Sequence, residues 1–150
     1  MSRVLVFAYG SNMHSERMLE RIPGALARGR ARLAGRRLVI NKHGRDGSAK
    51  ANLAHDATGL VWGVVWELSL EEVRALDRHE AGYERVIVPI ETEDGPAEAE
   101  TYVSERLSPE ALPYDWYVEH LVRGARAFGF PDDYVAWLEA HPRRRQRSER

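Results

Sequence analysis

The chain has 150 residues, a formal charge of −1, 43% hydrophobic and 30% charged residues, and no cysteine. That length suits one domain with a sizeable core, and the near-neutral balance gives no bulk reason to expect nucleic acid or an anionic membrane as partner. The lack of cysteine excludes disulfides, thiolate nucleophiles and zinc–thiolate sites within it. No apolar run approaches membrane-spanning length, and Met1-Ser2-Arg3 with its short apolar sequel lacks the features of a signal peptide, so a cytoplasmic location is expected.

In chain order, residues 4–8 form an apolar run without period-2 alternation, which predicts a short strand buried on both faces. It leads into Gly10-Ser11-Asn12. Gly10 lets backbone approach a ligand closely, and Ser11 and Asn12 are good helix caps, so a turn presenting free N–H groups at a helix start is expected. Such a turn suits a carboxylate or a developing oxyanion. Residues 15–26 hold Met18, Leu19 and Ile22 ahead of Pro23-Gly24, a short helix stopped by proline. Residues 27–42 read as two strands broken at Gly35, residues 43–50 as a glycine-punctuated loop, and residues 51–54 as a short strand. Residues 60–68 give the clearest strand signal, and Gly63 inside them predicts a bulge or a barrel-corner bend. Trp62 and Trp66 fall on one face, as core side chains.

Ser69 and Glu72 then make a capping box, with Glu71 and Glu72 in the first helical turn. Val73 and Leu76 mark that helix's buried face. Glu80 falls on the same face near the helix end, ahead of Gly82 as a left-handed cap. A carboxylate there is anomalous. Burial raises its pKa and prepares it to take a proton at neutral pH; the structural alternatives are pairing with Arg78 or Arg85, or fraying into solvent. Residues 83–92 and 97–104 flank a hairpin turn signalled by Asp94-Gly95, and Pro89 predicts an unpaired stretch in the first arm. A helix over residues 114–128 puts Tyr117, Leu121, Gly124 and Phe128 on one face. Glycine in a helix interior costs about 1 kcal/mol against alanine, so close packing or a ligand is expected at Gly124. Pro131-Asp132-Asp133 opens a last helix to residue 140, and an arginine-rich tail over residues 143–150 is expected to be solvated.

Six scattered histidines offer no pair at ligand spacing on one helix face, so no metal is expected, and phosphate-loop and dinucleotide fingerprints are absent. Gly10-Ser11-Asn12 lacks the nucleophile-elbow pattern of a serine hydrolase. An anion-binding turn, a buried-side glutamate and inward tyrosines remain. That set fits proton transfer on a small zwitterionic substrate.

The ordered motifs Phe7-Ala8-Tyr9-Gly10-Ser11-Asn12, Trp62-Gly63-Val64-Val65-Trp66, Leu76-Asp77-Arg78-His79-Glu80 and Tyr117 ahead of Gly124-Ala125 resemble those of γ-glutamylcyclotransferases. Gly129-Phe130-Pro131 and Tyr134 extend the similarity to about Pro142. The resemblance implies an α+β fold, a mixed closed β-barrel flanked by helices, in a single domain over residues 1–142. It implies a reaction that needs no cofactor or metal: the α-amine of a γ-glutamyl compound attacks its own γ-carbonyl, releasing 5-oxoproline and an amino acid or amine. Glu80 is implied as general base, and Val6, Phe7, Ala8, Tyr9, Gly10, Ser11, Asn12 and Tyr117 as substrate contacts. The expected partner is a small γ-glutamyl molecule, with no nucleic acid or membrane. Two departures stand out. Ala81 intervenes where the family's glutamate is usually followed by glycine, and the connection from Glu80 to Tyr83 is shorter than in the animal enzymes. The leaving group is therefore open between an amino acid, an amine and a larger metabolite, and a non-catalytic binder of small carboxylates is the alternative from a different class.

Overall fold

The computed structural model describes residues 2–145, which form five β-strands and four α-helices. In β1 (Arg3–Ala8) the last three residues, Val6, Phe7 and Ala8, are buried in succession, as expected of a strand covered on both faces. β2 (Leu26–His43) and β3 (Ala49–Ser69) pair antiparallel, and β4 (Glu84–Thr92) and β5 (Gly95–Val103) form the hairpin. The strand order is β1-β3-β2-β4-β5, and β1 closes on β5 through the parallel pair Val6–Glu100. The result is a closed mixed barrel. Beside that seam the Thr101 hydroxyl, fully buried, donates to the Phe7 carbonyl at 2.7 Å.

The predicted breaks in the long strands are bulges. β2 continues through Gly35, whose φ of +83° lies at the register shift between Ala34 and Arg36. Ala34 pairs with Leu60 and Arg36 with His55, so β3 joins the two predicted strands and carries residues 56–59 as an irregular excursion. The expected loop shrinks to residues 44–48. Glycine and polar content mark irregular backbone correctly, but pairing with a neighbour carries the strand across it. Gly63 is not a bulge. It stays in register with Ala31, and a Cβ there would lie 2.5 Å from the Phe7 ring and 2.6 Å from the Ala8 carbonyl oxygen. Glycine at this position permits the close approach of β1 and β3. The hairpin turn is Glu93-Asp94, with Gly95 already paired to Thr92, one residue earlier than predicted. β4 meets β2 only at Ala31–Thr92 and Arg32–Glu91, which leaves the stretch around Pro89 without a partner on that side, as its missing N–H requires.

The helices are α1 (Ser15–Arg21), α2 (Leu70–His79), α3 (Asp115–Ala127) and α4 (Asp132–Glu139). The capping box of α2 is formed: the Glu72 amide donates to Ser69 Oγ at 3.2 Å and the Ser69 amide to Glu72 Oε1 at 2.7 Å. α2 ends at Glu80, and Gly82 takes the left-handed conformation, φ +88°. Trp66 is buried with Phe128 edge-on at 6.2 Å, and Trp62 lies 5.7 Å from Phe130, so both tryptophans pack beneath the C-terminal helices. At the start of the arginine-rich tail, Arg144 exchanges backbone hydrogen bonds with Pro113 and Asp115; residues 146–150 lie outside the described residues. Among the described residues, no helix is long and apolar enough to cross a membrane.

Candidate active site

The buried end of β1 runs straight into a 3₁₀ turn at Ser11–Met13 with Gly10 as its N-cap. A Cβ on Gly10 would sit 3.1 Å from Ala51 Cβ and 3.3 Å from the Tyr117 hydroxyl, so even one methyl would crowd this point. Contrary to expectation, neither Ser11 nor Asn12 caps a helix: α1 begins later, with His14 as N-cap. Ser11 Oγ instead accepts from Arg17 Nε at 3.0 Å. Asn12 Oδ1 accepts from Arg21 Nη1 at 3.2 Å, and Asn12 Nδ2 donates to Glu80 Oε1 at 2.7 Å. Hydrogen bonds to charged partners are about twice as strong as neutral ones, so the guanidinium groups and the carboxylate win these side chains from the backbone. A 3₁₀ turn has no internal acceptor for its first amides, so Ser11 and Asn12 still present N–H groups.

The turn is held from two sides. Trp66 Nε1 donates to the Asn12 carbonyl at 3.0 Å. α3 presses on it through Gly124, where a Cβ would fall 2.5 Å from Met13 Cβ and 2.8 Å from the His14 nitrogen. Close packing is thus the reason for glycine inside α3.

Glu80, the C-cap of α2, turns its carboxylate into the same space with its side chain 15% exposed. Of the alternative partners, Arg78 is exposed and Arg85 is engaged by Asp77 and Glu100. Its guanidinium partner is Arg21, whose Nη1 lies 3.8 Å from Oε1. Burial raises the pKa of Glu80 above the ordinary carboxylate value, while Arg21, the Asn12 hydrogen bond, Arg17 and Lys42 oppose the rise.

Three tyrosines meet Glu80 from other elements. Tyr9 donates its hydroxyl proton to the Tyr102 carbonyl, and Tyr83 donates to the Ala51 carbonyl at 2.6 Å. Tyr117, on α3, accepts from the Ala51 amide at 2.9 Å. Among the described residues no acceptor takes the Tyr117 proton itself, which leaves it available to a ligand. Burial pushes the Tyr117 pKa up to about 12, so the hydroxyl stays a donor at neutral pH.

A cavity, about 390 Å³ with adjoining open solvent included, is lined by Val6, Phe7, Ala8, Tyr9, Gly10, Ser11, Asn12, Glu80 and Tyr117, every site residue implied in the sequence. Ala51, Tyr83, Thr101 and Tyr102 complete it. Ala51, Thr101 and Tyr102 carry no local signal, because barrel register brings them here, whereas Tyr83 follows Glu80 by three residues in the connection to β4. Lys42 was also missed: it is 6% exposed and its Nζ donates to the Ala81 carbonyl at 2.9 Å, tying β2 to the residue after Glu80. The spacing of Arg17 and Arg21, one helical turn apart directly after the turn, was the signal available for those two. His14 and His120, distant in sequence, approach to 2.8 Å between Nδ1 atoms. Among the described residues no three His, Cys, Asp or Glu side chains gather as a metal site.

Comparison with known proteins identifies the family. The family model described as AIG2-like matches residues 60–138. A γ-glutamylcyclotransferase from Bos taurus is 30% identical over 146 residues, covering 91% of this chain and 77% of the relative. A solved γ-glutamyl cyclotransferase superposes with a TM-score of 0.86 at 27% identity, covering 95% of this chain and 90% of the other. A Homo sapiens protein superposes with a TM-score of 0.88 at 26% identity, covering 99% and 94%. A match over more than half the chain, and a relative this similar along most of its own length, lead to one conclusion: the chain belongs to the AIG2-like, γ-glutamylcyclotransferase-like family.

Proposed function

We propose that the protein is a γ-glutamylcyclotransferase that converts a γ-glutamyl amino acid or amine into 5-oxoproline and the free amino acid or amine, with Glu80 as general base. The observation that carries this reading is the Glu80 carboxylate, largely buried in the cavity and aimed by Asn12 at 2.7 Å, beside a turn whose Ser11 and Asn12 amides have no acceptor among the described residues. A binder of small carboxylates gains nothing from a buried acid next to its ligand.

An α-ammonium group with a pKa of about 8 is mostly protonated at neutral pH and has no lone pair to attack with. Glu80, its pKa raised by burial, takes one proton. The freed amine attacks the γ-carbonyl of the same molecule. Holding both ends of one folded substrate in a small cavity supplies much of the rate through proximity. The carbonyl oxygen becomes an oxyanion, for which the amides of the 3₁₀ turn and the Tyr117 hydroxyl are donors of the required kind. As the carbonyl re-forms, the bond to the leaving nitrogen breaks. The proton on Glu80 and a second proton from the attacking nitrogen pass to that nitrogen, which departs as an ammonium group. Glu80 is thereby returned as the carboxylate.

Product identity tests this. Incubation with a γ-glutamyl amino acid is expected to yield 5-oxoproline with an equal amount of amino acid. Release of free glutamate in place of 5-oxoproline would mean water, not the α-amine, is the nucleophile, and would reject cyclisation.

A further inference from the structure

The cavity opens on a wider vestibule, about 1040 Å³ counted to open solvent, which shares Ser11, Glu80, Tyr83 and Tyr117 with it. Six cationic side chains border this space, Arg17, Arg21, Lys42, Arg45, Lys50 and Arg78, against the carboxylates of Asp46 and Glu80. In a chain of formal charge −1 that is a strong local excess of positive charge.

Two placements in this group set like charges side by side. Lys42 and Lys50 are directly opposed across the β2–β3 ladder, where like charges repel. Arg17 and Arg21 stand four residues apart on α1, a like-charge spacing that destabilises a helix. Both pairs border the same vestibule. Asp46 offsets part of this charge: its carboxylate pairs with Lys50 Nζ at 3.4 Å while organising the turn, accepting from the Ser48 amide at 3.0 Å and hydroxyl at 2.6 Å. His79, on the same rim, has its pKa lowered by burial and by Arg21, Arg78 and Arg17. Cations gathered at one opening, in excess of the carboxylates that line it, have a rationale when the space is filled by an anion during function.

We infer that the vestibule receives an acidic leaving group, so that the preferred substrate is a γ-glutamyl compound whose departing amine carries at least two negative charges, as an acidic amino acid does. This rests on the cyclisation proposed above. In that reaction the γ-glutamyl half, with one ammonium and one carboxylate, is neutral and occupies the cavity at Glu80. The departing half has to extend into the adjoining space, and that space is the vestibule. Arg45 and Lys50, beside the loop at residues 44–48, are the specificity-determining residues of this arrangement.

The test compares γ-glutamyl-glutamate, γ-glutamyl-alanine and γ-glutamyl-methylamide by 5-oxoproline release and, in Glu80→Gln, by calorimetric affinity. kcat/KM is expected to fall in that order, the first exceeding the last by about tenfold or more at low salt, with the margin narrowing at high salt. In the Arg45→Gln/Lys50→Gln double variant that ratio is expected to drop several-fold. Release of 5-oxoproline with equal or reversed preference overturns the acidic leaving group and leaves cyclisation standing. No 5-oxoproline from any compound overturns cyclisation instead, and the affinities then decide the vestibule. Tighter binding of the acidic compound supports it, and equal affinities overturn it.

Discussion

At Glu80 two opposing influences meet. Burial favours the neutral acid, whereas Arg21, Asn12, Arg17 and Lys42 favour the carboxylate. Removing Arg21 deletes a group that lowers the pKa, so Arg21→Gln should move the acid limb of kcat/KM to higher pH; an unmoved limb, or one moved to lower pH, would show that Arg21 does not act on Glu80. The same balance affects stability. With its folded pKa above the unfolded value, Glu80 holds its proton more tightly in the folded chain, so its ionisation costs stability as pH rises through the carboxylate range. Glu80→Gln should therefore melt at or above the wild-type temperature at pH 7, with the gap closing as pH falls below about 4, where free carboxylates protonate. A lower melting temperature at pH 7 would contradict the raised pKa. Tyr117→Phe strips the acceptor from the buried Ala51 amide and should cost about 1–3 kcal/mol of stability in addition to weakening substrate binding. Unchanged denaturant midpoint and KM would remove Tyr117 from both roles. Glu80 was legible in the sequence because helical period alone puts it on the Val73–Leu76 face. Lys42 was not, since it comes from a barrel strand, and Arg21 was marked only by its spacing from Arg17 on α1.

Among the elements, those with local signals matched the sequence reading. α2 carries its capping box, and α3 ends at Phe128 with Gly129 in the left-handed region, as expected from cap residues and 3.6-residue periodicity. The long strands were misread because a bulge and a strand break look alike until the partner strand is known. Ser11 and Asn12 failed as caps for a similar reason: the groups that claim them arrive from α1 and α2. Gly124 shows how packing overrides propensity. Alanine there gains about 1 kcal/mol of helix propensity. It also drives a methyl into the Met13 and His14 backbone, an overpacking that costs about 1–3 kcal/mol. Gly124→Ala should thus lose stability in denaturant unfolding and raise KM, because the displaced turn carries Ser11 and Asn12. A stabilised variant with unchanged KM would mean α3 can slide freely off the turn.

At the scale of the whole molecule, barrel closure is what assembles the site. Residues from β1, the 3₁₀ turn, β3, the end of α2, β5 and α3 line one cavity. Composition and periodicity specify strands and helices but not which strands pair, so the barrel was legible only through the family's ordered motifs. The β1–β5 seam has one ladder pair and the Thr101 hydrogen bond to Phe7, both beside the cavity. Thr101→Val keeps the shape but leaves the buried Phe7 carbonyl without that donor, so it should cost about 1–3 kcal/mol and impair substrate binding. Retained stability and KM would show that the ladder alone holds the seam. The most direct measurement of the central claim is 5-oxoproline release by wild type and by Glu80→Gln under saturating γ-glutamyl substrate, alongside substrate affinity for the variant. Wild type should release 5-oxoproline, and the variant should bind substrate yet turn over about 10²-fold slower or worse, the contribution of a general base. A Glu80→Gln enzyme running near the wild-type rate would contradict the assignment of Glu80 as the base.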